Sequence, residues 1–320
     1  MLSRVAENVF WMSRYVERAE NLARLLDVGF DLELEGSGLL TEVDRGPLDG
    51  VLTILGAKEA YDLACPVHTP DALMRFLTFE RAVPYSILGI ISIARENARG
   101  TQDAVSAEAW SQLNQLYLYL TSPKALRRFD SSPTRLFGIV RRACILWDGL
   151  VDSTLPRNEV FHFLQLGRYL ERVDQLTRII GARAHTLDEA EAAYSFAPQM
   201  SIVHWTTLLR SCSAYEAFLS TRGDALSPEG VVRYLVLDPD FPRSMRFSIT
   251  QCRESISEIG GGDEDGYGSE AERLLGRLDG ELRYIDVLEI FDRGVRRFLS
   301  SVQDTCDRVG EEIHKAYFAT

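Results

Sequence analysis

The chain has 320 residues, of which 46% are hydrophobic and 26% charged. That balance excludes a disordered or fibrous chain and leaves room for two units that each bury a core. Acidic side chains outnumber basic ones, 47 to 35, for a formal net charge of -12, which argues against a nucleic acid or an anionic membrane surface as the main partner.

The predicted elements are helical throughout, because apolar residues recur at three- and four-residue spacings and alternating strand-like runs are scarce. In the first helix Val9, Met12, Val16, Ala19, Ala23 and Leu26 lay one apolar stripe along the cylinder. Further helices are predicted over Asp49 to Ala64, Thr69 to Phe79, Pro84 to Asp103, Ser106 to Leu120 and Pro133 to Val151. After Pro156 the pattern restarts with a long helix to about His185, then the polar, Ala-rich connector TLDEAEAAYSFAP. Helices over Ser201 to Ser220, Pro228 to Leu237, Pro242 to Ile259, Ser269 to Leu278 and Leu282 to Ala319 complete the chain. GGGDEDGYG reads as an exposed loop whose acids lack the spacing and closing Glu of a calcium-binding EF-hand.

The two halves repeat one another. WMSRYVERAENLARLL from Trp11 and QLGRYLERVDQLTRII from Gln165 share Arg14/Arg168, Tyr15/Tyr169, Glu17/Glu171, Arg18/Arg172, Leu22/Leu176 and Arg24/Arg178. Downstream, Ala60-Tyr61-Asp62 meets Ala214-Tyr215-Glu216 and Arg75-Phe76-Leu77 meets Arg233-Tyr234-Leu235. Pro84, Ser86, Arg95 and Glu96 then meet Pro242, Ser244, Arg253 and Glu254. Collinear matches of this kind imply an internal repeat. The expected architecture is all-α: a duplicated helical bundle of two repeats, 1–154 and 155–320, each of about six helices, with pseudo-twofold symmetry.

Away from the apolar stripe, Arg14, Glu17, Arg18, Asn21 and Arg24 share a face of the first helix, and Arg168, Glu171, Arg172, Gln175 and Arg178 share the equivalent face of the second. One reading is structural: a solvated face, or a buried ion-pair network that fixes helix packing. The other is functional: the strip lines a cavity in which Arg grips a carboxylate or phosphate and Glu holds an ammonium group, as on a peptide or amino acid. Proton transfer fits the strip poorly, because an Arg neighbour favours the ionised carboxylate and Arg itself holds its proton. Only His162, close to the Arg168 strip, offers a conceivable base.

No phosphate-cradling Gly-rich loop, nucleophile elbow or HExxH motif occurs in the sequence. The five histidines form no metal-like cluster, so neither metal nor cofactor is expected. Cys65, Cys144, Cys212, Cys252 and Cys306 are scattered, odd in number and without a CxxC pair, as in a reducing compartment. The opening MLSRVAENVFWMSRYVER carries Arg4 and Glu7 where a signal peptide would be apolar, and Arg141 and Arg142 interrupt LFGIVRRACILW. A cytoplasmic protein without membrane spans is the expectation.

The opening MLSRVAENVFWMSRYVERAENLARLLDV, the ISIARENARG segment, FLQLGRYLER and the FPRS at Phe241 to Ser244 together resemble the bacterial alpha-E domain family, an all-helical family of unknown function named for a Glu-Arg motif. The resemblance covers nearly the whole chain. It places the motif at Glu17-Arg18 and Glu171-Arg172, and further signatures at Arg14, Arg168, Arg95, Glu96, Asn97, Arg99, Arg243 and Ser244. It also implies an association with circularly permuted ATP-grasp proteins and transglutaminase-like peptidases. The function expected from it is that of a non-catalytic partner that positions an ATP-grasp ligase or its peptide-like substrate. The alternatives are an enzyme of peptide or amide chemistry using the Arg/Glu cleft, and a purely structural, oligomer-forming scaffold.

Overall fold

A computed structural model describes residues 1–35, 47–65, 68–194, 198–221, 226–261 and 267–319, and among these all regular structure is helical. The first half holds α1 (Ser3–Glu35), α2 (Pro47–Leu55), α3 (Lys58–Ala64), α4 (Pro70–Phe79), α5 (Ile87–Arg99), α6 (Ala107–Leu120), α7 (Pro123–Ser131) and α8 (Pro133–Thr154). The second holds α9 (Glu159–Tyr194), α10 (Pro198–Ser211), α11 (Tyr215–Thr221), α12 (Pro228–Val232), α13 (Met245–Gly260), α14 (Glu270–Tyr284), α15 (Val287–Arg293) and α16 (Val295–Ile313). Wider π turns, Arg233–Leu237 and His314–Phe318, continue α12 and α16. No helix of the described residues is long and apolar enough to cross a membrane.

Among the described residues the expected count of about six helices per half becomes eight, because three expected helices are broken and one was missed. Gly56 and Ser213, at φ 62° and 53°, take left-handed backbone that ends α2 and α10 and lets the chain re-enter α3 and α11. At both breaks the next amide reaches back five residues, from Ala57 to the Leu52 carbonyl and from Ala214 to that of Leu209. The expected helix from Leu282 to Ala319 is interrupted because Asp286 and Glu289 form a capping box that starts α15, and Gly294, at φ 84°, separates it from α16. The missed helix, α7, is short; it opens on Pro123 and anchors itself by burying Ala125 and Phe129. Conversely, α9 runs on through residues 186–194 of the expected connector, whose Ala and Glu content favours helix. Gly262 to Gly266 of the expected acidic loop lie outside the described residues.

The chain forms two compact units: Trp11–Phe161, and Met1–Phe10 together with His162–Thr320. In the first, α6 packs on α5, α7 and α8, α4 on α5, and α2 on α3 and α4. Its deepest apolar side chains include Met12, Leu22, Leu26, Phe129 and Phe137. In the second, α14 packs on α13 and α16, α15 on α12 and α16, and α10 on α11 and α12. There Phe318, at the end of the chain, meets the rings of Phe10 and Phe163.

One local device occurs in both units. Ser86 caps α5 by accepting from the Gly89 amide while its hydroxyl donates to the Glu80 carbonyl. Ser244 caps α13 by accepting from the Phe247 amide while donating to the Asp238 carbonyl, six residues back in each case. In the first unit the tight approach leaves no room at Gly89, where an added Cβ would lie 2.2 Å from the Val83 carbonyl oxygen.

Backbone geometry therefore makes two opposite predictions for urea melts. Gly89→Ala is expected to lower stability by about 1–3 kcal/mol, because the clash is with backbone rather than a yielding side chain. Ser213→Gly is expected to raise it by roughly 0.5–1 kcal/mol through relief of the left-handed conformation.

Candidate functional site

The charged strips are largely buried, with Arg14, Arg18, Arg168 and Arg178 half-buried. On α1 the apolar stripe is buried, and so are Glu17, Glu20, Asn21 and Arg24 on other faces of the same turns. On α9 the buried polar set is Gln165, Glu171, Arg172, Asp174 and Gln175. A helix covered on all sides must satisfy each polar atom within the protein, since an unpaired buried charge costs several kcal/mol. The solvated-face reading is thereby removed for Glu17, Asn21, Arg24, Glu171, Arg172 and Gln175, whereas Arg14, Arg18, Arg168 and Arg178 keep part of their surface in solvent.

Spacing supplies the first partners. Arg24 and Glu20, four residues apart, pair through the Arg24 Nη2, with side chains only 2% and 3% exposed. Arg178 and Asp174 pair at the same spacing, at 3.2 Å. Gln175 Nε2 donates to Glu171 Oε1 at 2.9 Å. Arg172 Nη1 donates to the Pro242 carbonyl at 2.8 Å, which ties α9 to the FPRS turn ahead of α13. Arg14 lies over the Trp11 ring and Arg18 over the Tyr15 ring, while Arg168 and Arg172 both lie against Tyr169.

Partners from other helices complete the network. Asp174 accepts from Gln303 Nε2 of α16 at 3.0 Å. Asp27 accepts from Arg141 Nη1 of α8 at 3.2 Å. Burial raises the Asp27 pKa above its ordinary 3.8; Arg141 opposes the rise and Asp31 adds to it. Beside α1, the Cys144 thiol is held well above its usual range, by burial first and then by Glu20, Asp148 and Glu17. It remains a protonated core thiol, not a nucleophile.

The remaining sequence-predicted residues fall outside this core. Arg95 of α5 donates from Nε to Asn114 of α6 at 2.8 Å and lies 4.6 Å from the Tyr117 ring centre. Glu96 is exposed and pairs with Arg95 and Arg99. Asn97 is half-buried, and its carbonyl accepts from the Thr101 hydroxyl. In the other unit Arg253 pairs with Asp279 at 3.2 Å, while Glu254 is exposed and accepts from Gln251. Arg243 is half-buried, and Ser244 is wholly buried as the α13 cap.

Sequence reasoning missed Asp279, a buried carboxylate that also accepts from Thr250 at 2.7 Å and Arg283 at 3.2 Å and so joins α13 to α14. It missed Asp27, Arg141 and Gln303 as well. For Glu20 and Asp174 a signal existed, since they occupy matching places in the two aligned helix sequences; for Asp279 none did. Among the described residues no three His, Cys, Asp or Glu side chains gather as a metal site.

These features define a class: an all-helical protein whose two longest helices carry paired guanidinium, carboxylate and amide groups within the fold. Residues 1–318 match the Alpha-E family, described as a predicted alpha-helical domain with a conserved ER motif, and the chain belongs to that family. Glu-Arg occurs in the chain at Glu17-Arg18, Glu80-Arg81, Glu171-Arg172 and Glu272-Arg273. Similar proteins of Mycobacterium bovis and of two strains of Mycobacterium tuberculosis carry the names of uncharacterized proteins. Each is 23% identical over 295 residues, covering 88% of this chain and 32% of the relative. The chain thus spans about a third of the length of these relatives. No solved structure matches it.

Glu20→Gln and Arg24→Ala are each expected to cost about 3–5 kcal/mol in chemical denaturation, because each strands the other member of a buried pair. Arg293→Ala, which breaks exposed pairs with Glu281 and Glu289, should change little.

The raised Asp27 pKa has a definite sign. The folded protein holds that proton more tightly than the unfolded chain, so the stability associated with it is present in acid. It is lost as pH rises from about 3.8 through the folded value. Across that window Asp27→Asn should show a flatter stability curve than the parent protein.

Proposed function

We propose that the chain is a non-catalytic accessory protein, acting in the cytoplasm, that holds a circularly permuted ATP-grasp ligase or positions its peptide-like substrate during amide bond formation. A transglutaminase-like peptidase is the second partner in this reading. The observation that carries it is the use made of the charged strips. Arg24 is taken by Glu20 and Arg178 by Asp174 within their own helices, and Arg172 by the Pro242 carbonyl ahead of α13, so these side chains are spent on partners inside the protein. A protein whose most distinctive charges are structural exerts its effect through its surface and its rigidity. In the mycobacterial relatives the matched segment is a minor part of a longer chain, as suits a module that works beside other protein.

In the same reading the halves are fused copies of one ancestral unit, the arrangement in which a pseudo-twofold axis arises. Several paired features support it: the equal number of helices, the left-handed breaks at Gly56 and Ser213, the caps of Ser86 and Ser244, and the four-residue pairs ending at Arg24 and Arg178. Helices α8 and α16 add the buried series Val140, Cys144, Trp147 and Val151 against Val302, Cys306, Val309 and Ile313.

Purified chain mixed with a purified circularly permuted ATP-grasp protein should co-elute from a sizing column. Alone, it should neither hydrolyse ATP nor form amide bonds. Turnover by the chain alone, or separate elution over a range of salt, would overturn the accessory role. Arg172→Ala should lower the melting temperature while the folded fraction keeps its affinity for the partner.

A further inference from the structure

Apart from the charged strips, the Trp11–Phe161 unit contains a cavity of about 640 Å³, within the usual range for small-molecule sites. It lies among the last turns of α1, helices α2 and α3, and the start of α4. The buried side chains of Leu48, Leu52 and Leu73 contribute an apolar wall. Among the described residues, Glu33, Asp49 and Asp62 bring carboxylates to the lining, against the ammonium of Lys58. The cavity is therefore acidic as well as apolar in part.

A second observation is independent of that charge. Tyr61 lines the cavity, is 1% exposed, and its buried hydroxyl has no hydrogen-bond partner among the described residues. A buried hydroxyl left unpaired forfeits the hydrogen bonds it would make in water, so a ligand that could reach it would restore something the folded chain lacks. Asp49 and Asp62 are near enough to act electrostatically on this phenol and, after burial itself, help raise its pKa. The edge of the His68 ring packs against Tyr61 at 5.2 Å, and His68 Nδ1 lies 3.6 Å from Asp62 Oδ1. Acid groups, an unsatisfied phenol and aliphatic side chains thus share one hollow.

We propose that this cavity binds an organic ammonium group carried on a short apolar chain, with Asp49 and Asp62 holding the charge, Tyr61 accepting one of its hydrogens, and Leu48, Leu52 and Leu73 covering the chain. The site is separate from the buried strips and does not depend on the accessory reading. An anionic ligand of the same length would meet a surplus of like charge, and a neutral one would leave the carboxylates without a counterion.

Calorimetric titration of the full chain with hexylamine, hexanol and hexanoate tests this. Hexylamine should bind saturably and roughly tenfold tighter than hexanol, the gain of a charge-assisted contact, and hexanoate more weakly still. Asp49→Asn and Asp62→Asn should each remove most of the preference for hexylamine over hexanol. Tyr61→Phe should weaken hexylamine binding without lowering the melting temperature, because the deleted hydroxyl has no partner to lose. Glu33→Gln supplies a further acid variant should either Asn variant fail to fold. Hexylamine binding no tighter than hexanol, or binding indifferent to every acid substitution, would overturn the proposal.

Discussion

The structure depends on the need to neutralise charge within two long helices whose surroundings exclude water. A guanidinium or carboxylate removed from solvent loses its hydration, and only a close partner of opposite charge or a well-aligned dipole offsets the loss. Along α1 the solution is Glu20 with Arg24 and Asp27 with Arg141. Along α9 it is Asp174 with Arg178 and Gln303, Glu171 with Gln175, and Arg172 with the Pro242 carbonyl. The contacts that cross between elements, Asp27 with Arg141, Asp174 with Gln303 and Arg172 with the Pro242 carbonyl, also limit how far a neighbouring element can slide, because apolar packing alone would tolerate a shift that a hydrogen bond does not.

This constraint decides what chemistry the strips can support. Arg24 is almost wholly enclosed, and the Cys144 thiol beside the same acids is kept protonated by burial. Interaction with other molecules is left to the exterior and to the hollow beside Tyr61. There the Tyr61 hydroxyl has no hydrogen-bond partner among the described residues, and the carboxylates of Asp49 and Asp62 line the same hollow. Two of the chain's Glu-Arg pairs, Glu17-Arg18 and Glu171-Arg172, sit on its two longest described helices.

Much of the fold was legible in the sequence because helical periodicity is strong. The stripe from Val9 to Leu26 and its counterpart from Phe163 to Ile180 are buried as their spacing required. The breaks were harder to see. Ser213 adopts a left-handed backbone that a serine ordinarily avoids, and α7 is too short for a periodic pattern to stand out. The Arg and Glu positions of the site were legible, yet their solvation was not, since an amphipathic surface helix and a fully enclosed one can share a pattern of charges.

The sequence by itself determined the helical class, the family and the matching placement of Arg, Glu and amide side chains on two long helices, because these follow from local spacing and residue type. Tertiary structure alone decided which of those side chains are buried. It also chose Arg141, Gln303 and the Pro242 carbonyl as partners, and gathered Asp49, Tyr61 and Asp62 around one hollow. The reason is that burial and pairing are properties of packed neighbours: Asp174 and Gln303 stand 129 residues apart in the chain, and no local pattern encodes a contact made only when the helices carrying them come together.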